Sequence, residues 1–144
     1  MSGKSKLDVA VPAGYEPTDK EEFMNPVMTA FFKKKLTDWR EDIVNQTKET
    51  ISFLQDESVS HPDPADTAAA NADRQLELRT KDRLRKLLSK VDKALLRIEN
   101  ETYGYCEETG DPIGVGRLDA RPIATLSLEA QERHEKREKV YRDD

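Results

Sequence analysis

Ser60-His61-Pro62-Asp63-Pro64-Ala65-Asp66-Thr67-Ala68 separates two long stretches of helical periodicity, one running to about Ser58 and the other starting near Asp63. Proline lacks an N–H and its ring clashes with the preceding turn, so Pro62 and Pro64 cannot continue the first helix. The same residues open the second. Asp63 can cap it, Pro64 suits the first helical position, and Asp66 falls beside unpaired N–H groups. The chain therefore runs out, turns on a short acidic tip and comes back.

On the N-terminal side of the tip, Asn25-Pro26 reads as a cap followed by proline at the first helical position. Phe32, Leu36, Trp39, Ile43, Thr47, Thr50 and Leu54 follow in steps of three and four, the seam of a coiled coil. The returning helix carries Leu84, Leu88, Val91, Leu95 and Ile98 in the same steps. Toward the tip the seam thins to Thr47 and Thr50 on one side and Leu76 on the other, with five alanines between Ala65 and Ala72. About 33 residues per helix at ~1.5 Å each predicts a rod of roughly 50 Å. So short a turn favours packing within one chain, hence a monomer, over an intermolecular coiled coil.

Residues 1–24 are polar, carry Pro12, Gly14 and Pro17, and show no apolar period. They read as a mobile arm, with Val9, Val11, Tyr15 and Phe23 able to dock locally. The second helix is expected to end near Glu101–Tyr103, with Gly104 supplying the left-handed cap. Tyr105 to Ile113 then reads as a tight knuckle between short strands, with Leu118, Ile123 and Leu126 packing a small core around it. A last helix opens at Ser127 as its cap, with Glu129 near the positive end of the dipole. The expected organisation is an arm (1–24), a coiled-coil hairpin (25–102, tip at 60–68), and a knuckle with a C-terminal helix (103–144). The fold class is mainly α: a long antiparallel helical hairpin on a small globular base.

Composition narrows the function. The 144 residues are 35% hydrophobic and 37% charged, a balance that fits an elongated hairpin better than a thick core. A net charge of −5 argues against direct binding to DNA, since affinity for a nucleic-acid backbone rests on clustered cations. No apolar run reaches the ~18–20 residues of a membrane span, and the N-terminus lacks a signal-peptide core. Asn45-Gln46-Thr47 and Asn100-Glu101-Thr102 therefore match the glycosylation pattern by chance. A single cysteine excludes an internal disulfide and fits a reducing cytoplasm. Two histidines without a nucleophile or metal partner at a recognisable spacing argue against an enzyme.

The tip Asp63-Pro64-Ala65-Asp66-Thr67-Ala68, the segment Leu76-Glu77-Leu78-Arg79, Tyr103-Gly104-Tyr105-Cys106 and Arg117-Leu118-Asp119-Ala120-Arg121-Pro122 together resemble the DksA family of bacterial transcription factors. The resemblance runs from about Asn25 to the C-terminus. It implies a helical hairpin on a base with a zinc knuckle. It also implies a partner, bacterial RNA polymerase, whose secondary channel the hairpin enters to alter initiation together with the alarmone ppGpp. In the family two tip aspartates and the alanine two positions on are the functional tip, corresponding to Asp63, Asp66 and Ala68. Capping alone would also account for Asp63 and Asp66.

Seven basic and three acidic residues lie between Glu77 and Lys93. On composition this is a solvated face held by i,i+4 pairs. By resemblance, Arg83 contacts the polymerase rim, while Leu87, Lys90 and Arg121 match positions that bind ppGpp at the polymerase interface. Gln131 stands where the family usually has lysine, so a hydrogen bond is kept and a charge is lost. The family's zinc site is a pair of C-x2-C motifs, and the matching positions are Cys106, Thr109, Ser127 and Ala130. One thiolate, two hydroxyls and a methyl do not make a tetrahedral zinc site. The expectation is a zinc-free member with no required cofactor, ppGpp as effector, and a base held by apolar packing and hydrogen bonds from Thr109 and Ser127. Cys106 reads as a small buried residue. Two other functions fit parts of the pattern: a transcript-cleavage factor of the same channel, its tip aspartates supporting a magnesium ion, and a generic coiled-coil adaptor.

Overall fold

Helix α1 (Pro26–Asp56) starts where the Asn25 side chain accepts a hydrogen bond from the Met28 N–H at 2.9 Å. That bond satisfies one donor that the first turn leaves open, and Pro26 has none to satisfy. The structure is a computed structural model describing residues 9–56 and 64–143. The expected turn after α1, with His61 and the tip residue Asp63, lies outside the described residues. Helix α2 (Pro64–Glu99) begins at the second tip proline. No described helix is long and apolar enough to cross a membrane.

Helix α2 ends earlier than the glycine predicts. The left-handed residue that closes the helix end is Glu101 (φ 62°), three positions before Gly104, and the N–H groups of Thr102 and Tyr103 close on the Arg97 carbonyl at 2.9 and 3.1 Å. Gly104 (φ 94°) has a different use. A Cβ there would come within 3.1 Å of Met24 Cε and 3.2 Å of Phe23 Cε2, so the missing side chain lets the N-terminal segment close over it.

The chain forms two compact units: a hairpin, Asp38–Asp92, and a base drawn from Met1–Thr37 and Lys93–Asp144. Within the hairpin the helices are antiparallel. Arg40 near its start pairs with Asp92 near its end at 2.6 Å, and Arg74 donates to the Leu54 carbonyl at 3.0 Å. Ile43, Thr50, Leu54, Leu84 and Val91 are buried, and Trp39, Thr47 and Leu88 are half-buried. The threonine hydroxyls sit in this seam by bonding their own helix, Thr47 to the Ile43 carbonyl and Thr50 to the Gln46 carbonyl. Leu76 does not join them and is 58% exposed. Counting back from Leu84 in threes and fours, the buried face passes through Thr80 and Glu77, both half-buried, one position off Leu76.

The base buries Met28, Phe32 and Leu36 from α1 and Ala94 and Ile98 from α2, with Tyr103, Cys106, Ile113 and Val115. Leu118 on the short helix α3 (Val115–Ala120) is fully buried, whereas Ile123 and Leu126 are only half-buried. The Tyr103 hydroxyl donates to the Pro122 carbonyl at 2.8 Å, and burial pushes its ionisation well above the ordinary phenol range. Lys35 donates to both the backbone and the carboxylate of Asp119 at 2.9 and 2.8 Å. The N-terminal segment packs by its aromatic residues: Tyr15 meets Phe31 edge-on at 5.7 Å and Phe23 meets Tyr105 at 5.4 Å. Burial and the Glu21 carboxylate bonded to the Tyr15 hydroxyl at 2.6 Å raise the Tyr15 pKa to about 12. The knuckle's short strands reduce to one bridge, Tyr105 with Pro112. Pro112 has no N–H to extend a ladder.

Candidate functional site

At the tip end of α2, Asp66 sits in the first helical turn with its side chain exposed, and Ala68 is exposed on the following turn. Farther along, Arg83, Leu87 and Lys90 fall at i, i+4 and i+7 and share one face. They line an open groove of ≈ 380 Å³ together with Arg79, Asp82 and Lys86. Asp82 is the carboxylate of that lining. It accepts from Arg85 at 2.8 Å and pairs with Lys86 at 3.2 Å, and these hydrogen bonds hold its carboxyl below the usual range. Four cations around one paired carboxylate leave a surplus of positive charge, suited to an anionic group held by charge-assisted hydrogen bonds. Arg79 and Lys86 were legible as part of this face from the same spacing in the basic run.

Arg121 and Gln131 belong to the base. Arg121 is exposed, just past α3, and its N–H donates to the Arg117 carbonyl at 2.8 Å. Gln131 is half-buried near the start of helix α4 (Leu128–Asp143) and donates from Nε2 to Glu135 at 3.2 Å. Ser127 caps that helix through a 3.2 Å bond from the Ala130 N–H.

In the knuckle, Cys106 and Ala130 are buried. Burial opposes ionisation of the Cys106 thiol, but the Thr109 hydroxyl and backbone N–H groups of Ser127, Thr109 and Glu108 donate to its sulfur and lower the pKa to about 6. The backbone around it is closed by Cys106 N–H to Asp111 at 2.8 Å and Gly110 N–H to Cys106 at 2.9 Å. Among the described residues, no group of three or more His, Cys, Asp or Glu side chains converges as metal ligands would.

Residues 28–98 match the model for the N-terminal domain of the DnaK suppressor protein DksA, and residues 101–136 match that for the prokaryotic dksA/traR C4-type zinc finger. The chain belongs to the DksA family. Two DksA relatives called RNA polymerase-binding transcription factors are similar over most of their length. The one from Caulobacter vibrioides is 58% identical over 130 residues, covering 90% of this chain and 92% of the relative. The one from Escherichia coli K12 is 41% identical over 138 residues, covering 94% and 91%. Among solved structures, the transcription factor DksA2 from Pseudomonas aeruginosa superimposes with a TM-score of 0.78 at 39% identity, over 83% of this chain and 94% of that one. The DksA zinc finger is described as C4-type, whereas this chain has one cysteine, so its residues do not fit that donor set.

Proposed function

We propose that this protein is a cytoplasmic, monomeric regulator of transcription that binds bacterial RNA polymerase and neither needs zinc nor binds DNA directly. It inserts the hairpin tip into the secondary channel and, together with ppGpp, modulates initiation at ribosomal RNA and other stringent-response promoters. The observation that carries this reading is similarity, over nine-tenths of the chain, to relatives called RNA polymerase-binding transcription factors. Asp63, Asp66 and Ala68 form the acting tip in this reading. Arg83 meets the polymerase rim, and Leu87, Lys90, Arg121 and Gln131 take the alarmone. The cationic groove suits both tasks, because a diphosphate or a carboxylate-bearing surface must exchange hydration for charged hydrogen bonds. An exposed aspartate in a first turn is free to meet a partner's basic or metal-bound groups.

The test is transcription in vitro from a ribosomal RNA promoter with purified polymerase, in zinc-free buffer, with and without ppGpp. The wild type should inhibit, and ppGpp should deepen the inhibition. Asp66→Asn should bind polymerase as tightly and lose most of the effect. Full inhibition by the variant would remove Asp66 from the mechanism. Release of short RNA from backtracked complexes would replace the reading with transcript cleavage.

A further inference from the structure

Glu108 lies on the knuckle, two residues after Cys106, and its carboxylate reaches across to α4. His134 Nε2 donates to its Oε1 at 2.6 Å, and Arg133 Nη2 stands 4.0 Å from its Oε2. Glu108 and His134 side chains are 30% and 41% exposed, so the pair sits at the surface, partly screened from water. The Glu108 backbone N–H bonds the Cys106 sulfur, which also takes the N–H of Ser127 at the cap of α4. Ala130, fully buried, packs one turn before His134. A knuckle and a helix start that a C4-type zinc finger joins through metal are thus joined by two protein links, the sulfur inside and the carboxylate outside.

We propose that Glu108, clasped by His134 and Arg133, fastens the knuckle to α4 in this chain and takes over the cross-link that zinc gives in C4-type members. The disagreement between the family's donor set and these residues is what the clasp resolves. A metal link and an ionic link differ in what undoes them. Chelators remove the first, because binding energy of the ion is folding energy. Salt weakens the second, whose Arg133 arm is always charged and whose His134 arm is charged when protonated, since at about 1 M the screening length falls to ~3 Å. The attachment of α4 therefore responds to ionic strength and ignores chelators.

Amide hydrogen exchange on the full-length protein reads this directly. In wild type, exchange across 131–140 of α4 should be unchanged by EDTA and about three- to fivefold faster in ~1 M NaCl, the change expected for losing a pair of this exposure. Amides of α1 between 30 and 36 serve as the internal control and should not move. Glu108→Gln and His134→Gln should each speed α4 exchange by a similar factor. The double variant should be no faster than the quicker single one, which is the signature of one shared interaction. Additive effects in the double variant, or α4 exchange that Glu108→Gln leaves unchanged, would overturn the clasp. Acceleration by EDTA would overturn the metal-free link, whatever the variants do.

Discussion

The hairpin and the base are held by different kinds of contact. In the hairpin, five buried residues lie along two helices, one of them a threonine; the seam hydroxyls bond their own helix, and the links from Arg40 to Asp92 and from Arg74 to Leu54 come from exposed side chains outside the seam. In the base, rings meet in succession, Tyr15 with Phe31, Phe31 with Phe32 at 5.2 Å, and Phe32 with Tyr103 at 5.8 Å, and polar links join residues far apart in sequence. A thin seam stabilises a pair of helices with little bulk around it, in keeping with the insertion proposed for it. A dense ring cluster with long-range hydrogen bonds fixes irregular loops, which suits a part that presents them.

The strongest way to break this contrast is to cut one residue from each core. Phe32 is fully buried among rings, so Phe32→Ala should cost about 3–5 kcal/mol, a large share of the total stability of a chain this size. Leu84→Ala in the hairpin should cost about 2–3 kcal/mol, at the low end for such a truncation, because half-buried Thr80 and Leu88 beside it have room to relax. Chemical denaturation of both variants gives the two numbers. Equal losses would mean that the hairpin seam is as tightly filled as the base.

The same contrast governs what could be read from the sequence. Helix starts were legible because each is local: Asn25-Pro26, Pro64 and Ser127 all stand where caps or first positions are. The seam was legible because it is periodic, and Leu76 failed only because an apolar residue can sit one position off the buried face. The groove was legible in part, since Arg83, Leu87 and Lys90 are spaced to share a face. In the base the signals were long-range or unconventional. A glutamate rather than a glycine ends α2, Pro112 cuts short the strands, and α3 is too short for a period to show. Glu108 and His134 are 26 residues apart and nothing local pairs them. The roles given to Asp63, Asp66, Ala68, Arg83, Leu87, Lys90, Arg121 and Gln131 rest on family resemblance alone, because exposure, charge and spacing do not name a partner.

A smaller effect sharpens the account of the base. The Cys106 thiol has its pKa lowered from 9.0 to about 6 by the donors around it. A group whose pKa falls on folding stabilises the fold fully above its unfolded value and loses that contribution as pH drops through the folded value. The melting temperature of the wild type should therefore gain on that of Cys106→Ala by several degrees between pH 6 and pH 9, with the gap closing below pH 6. A gap that stays constant over this range would show that the sulfur acts by packing and not as a hydrogen-bonded thiolate.

The smallest expected change lies in the hairpin and has the opposite sign. Thr50 is 7% exposed and its hydroxyl donates only to the Gln46 carbonyl, at 3.0 Å, an acceptor that the α1 ladder also serves. Replacing that hydroxyl by a methyl orphans no partner, because the carbonyl keeps its helical bond. Thr50→Val adds apolar surface at a buried seam position, and both residues carry the same β-branch, so the helix loses little. The variant should be more stable by about 0.5–1 kcal/mol, near the value of one buried methyl group. Denaturant unfolding checks the sign. A loss of stability instead would mean that the hydroxyl is held by more than its own helix, and that the buried seam, like the base, depends on polar contacts between its elements.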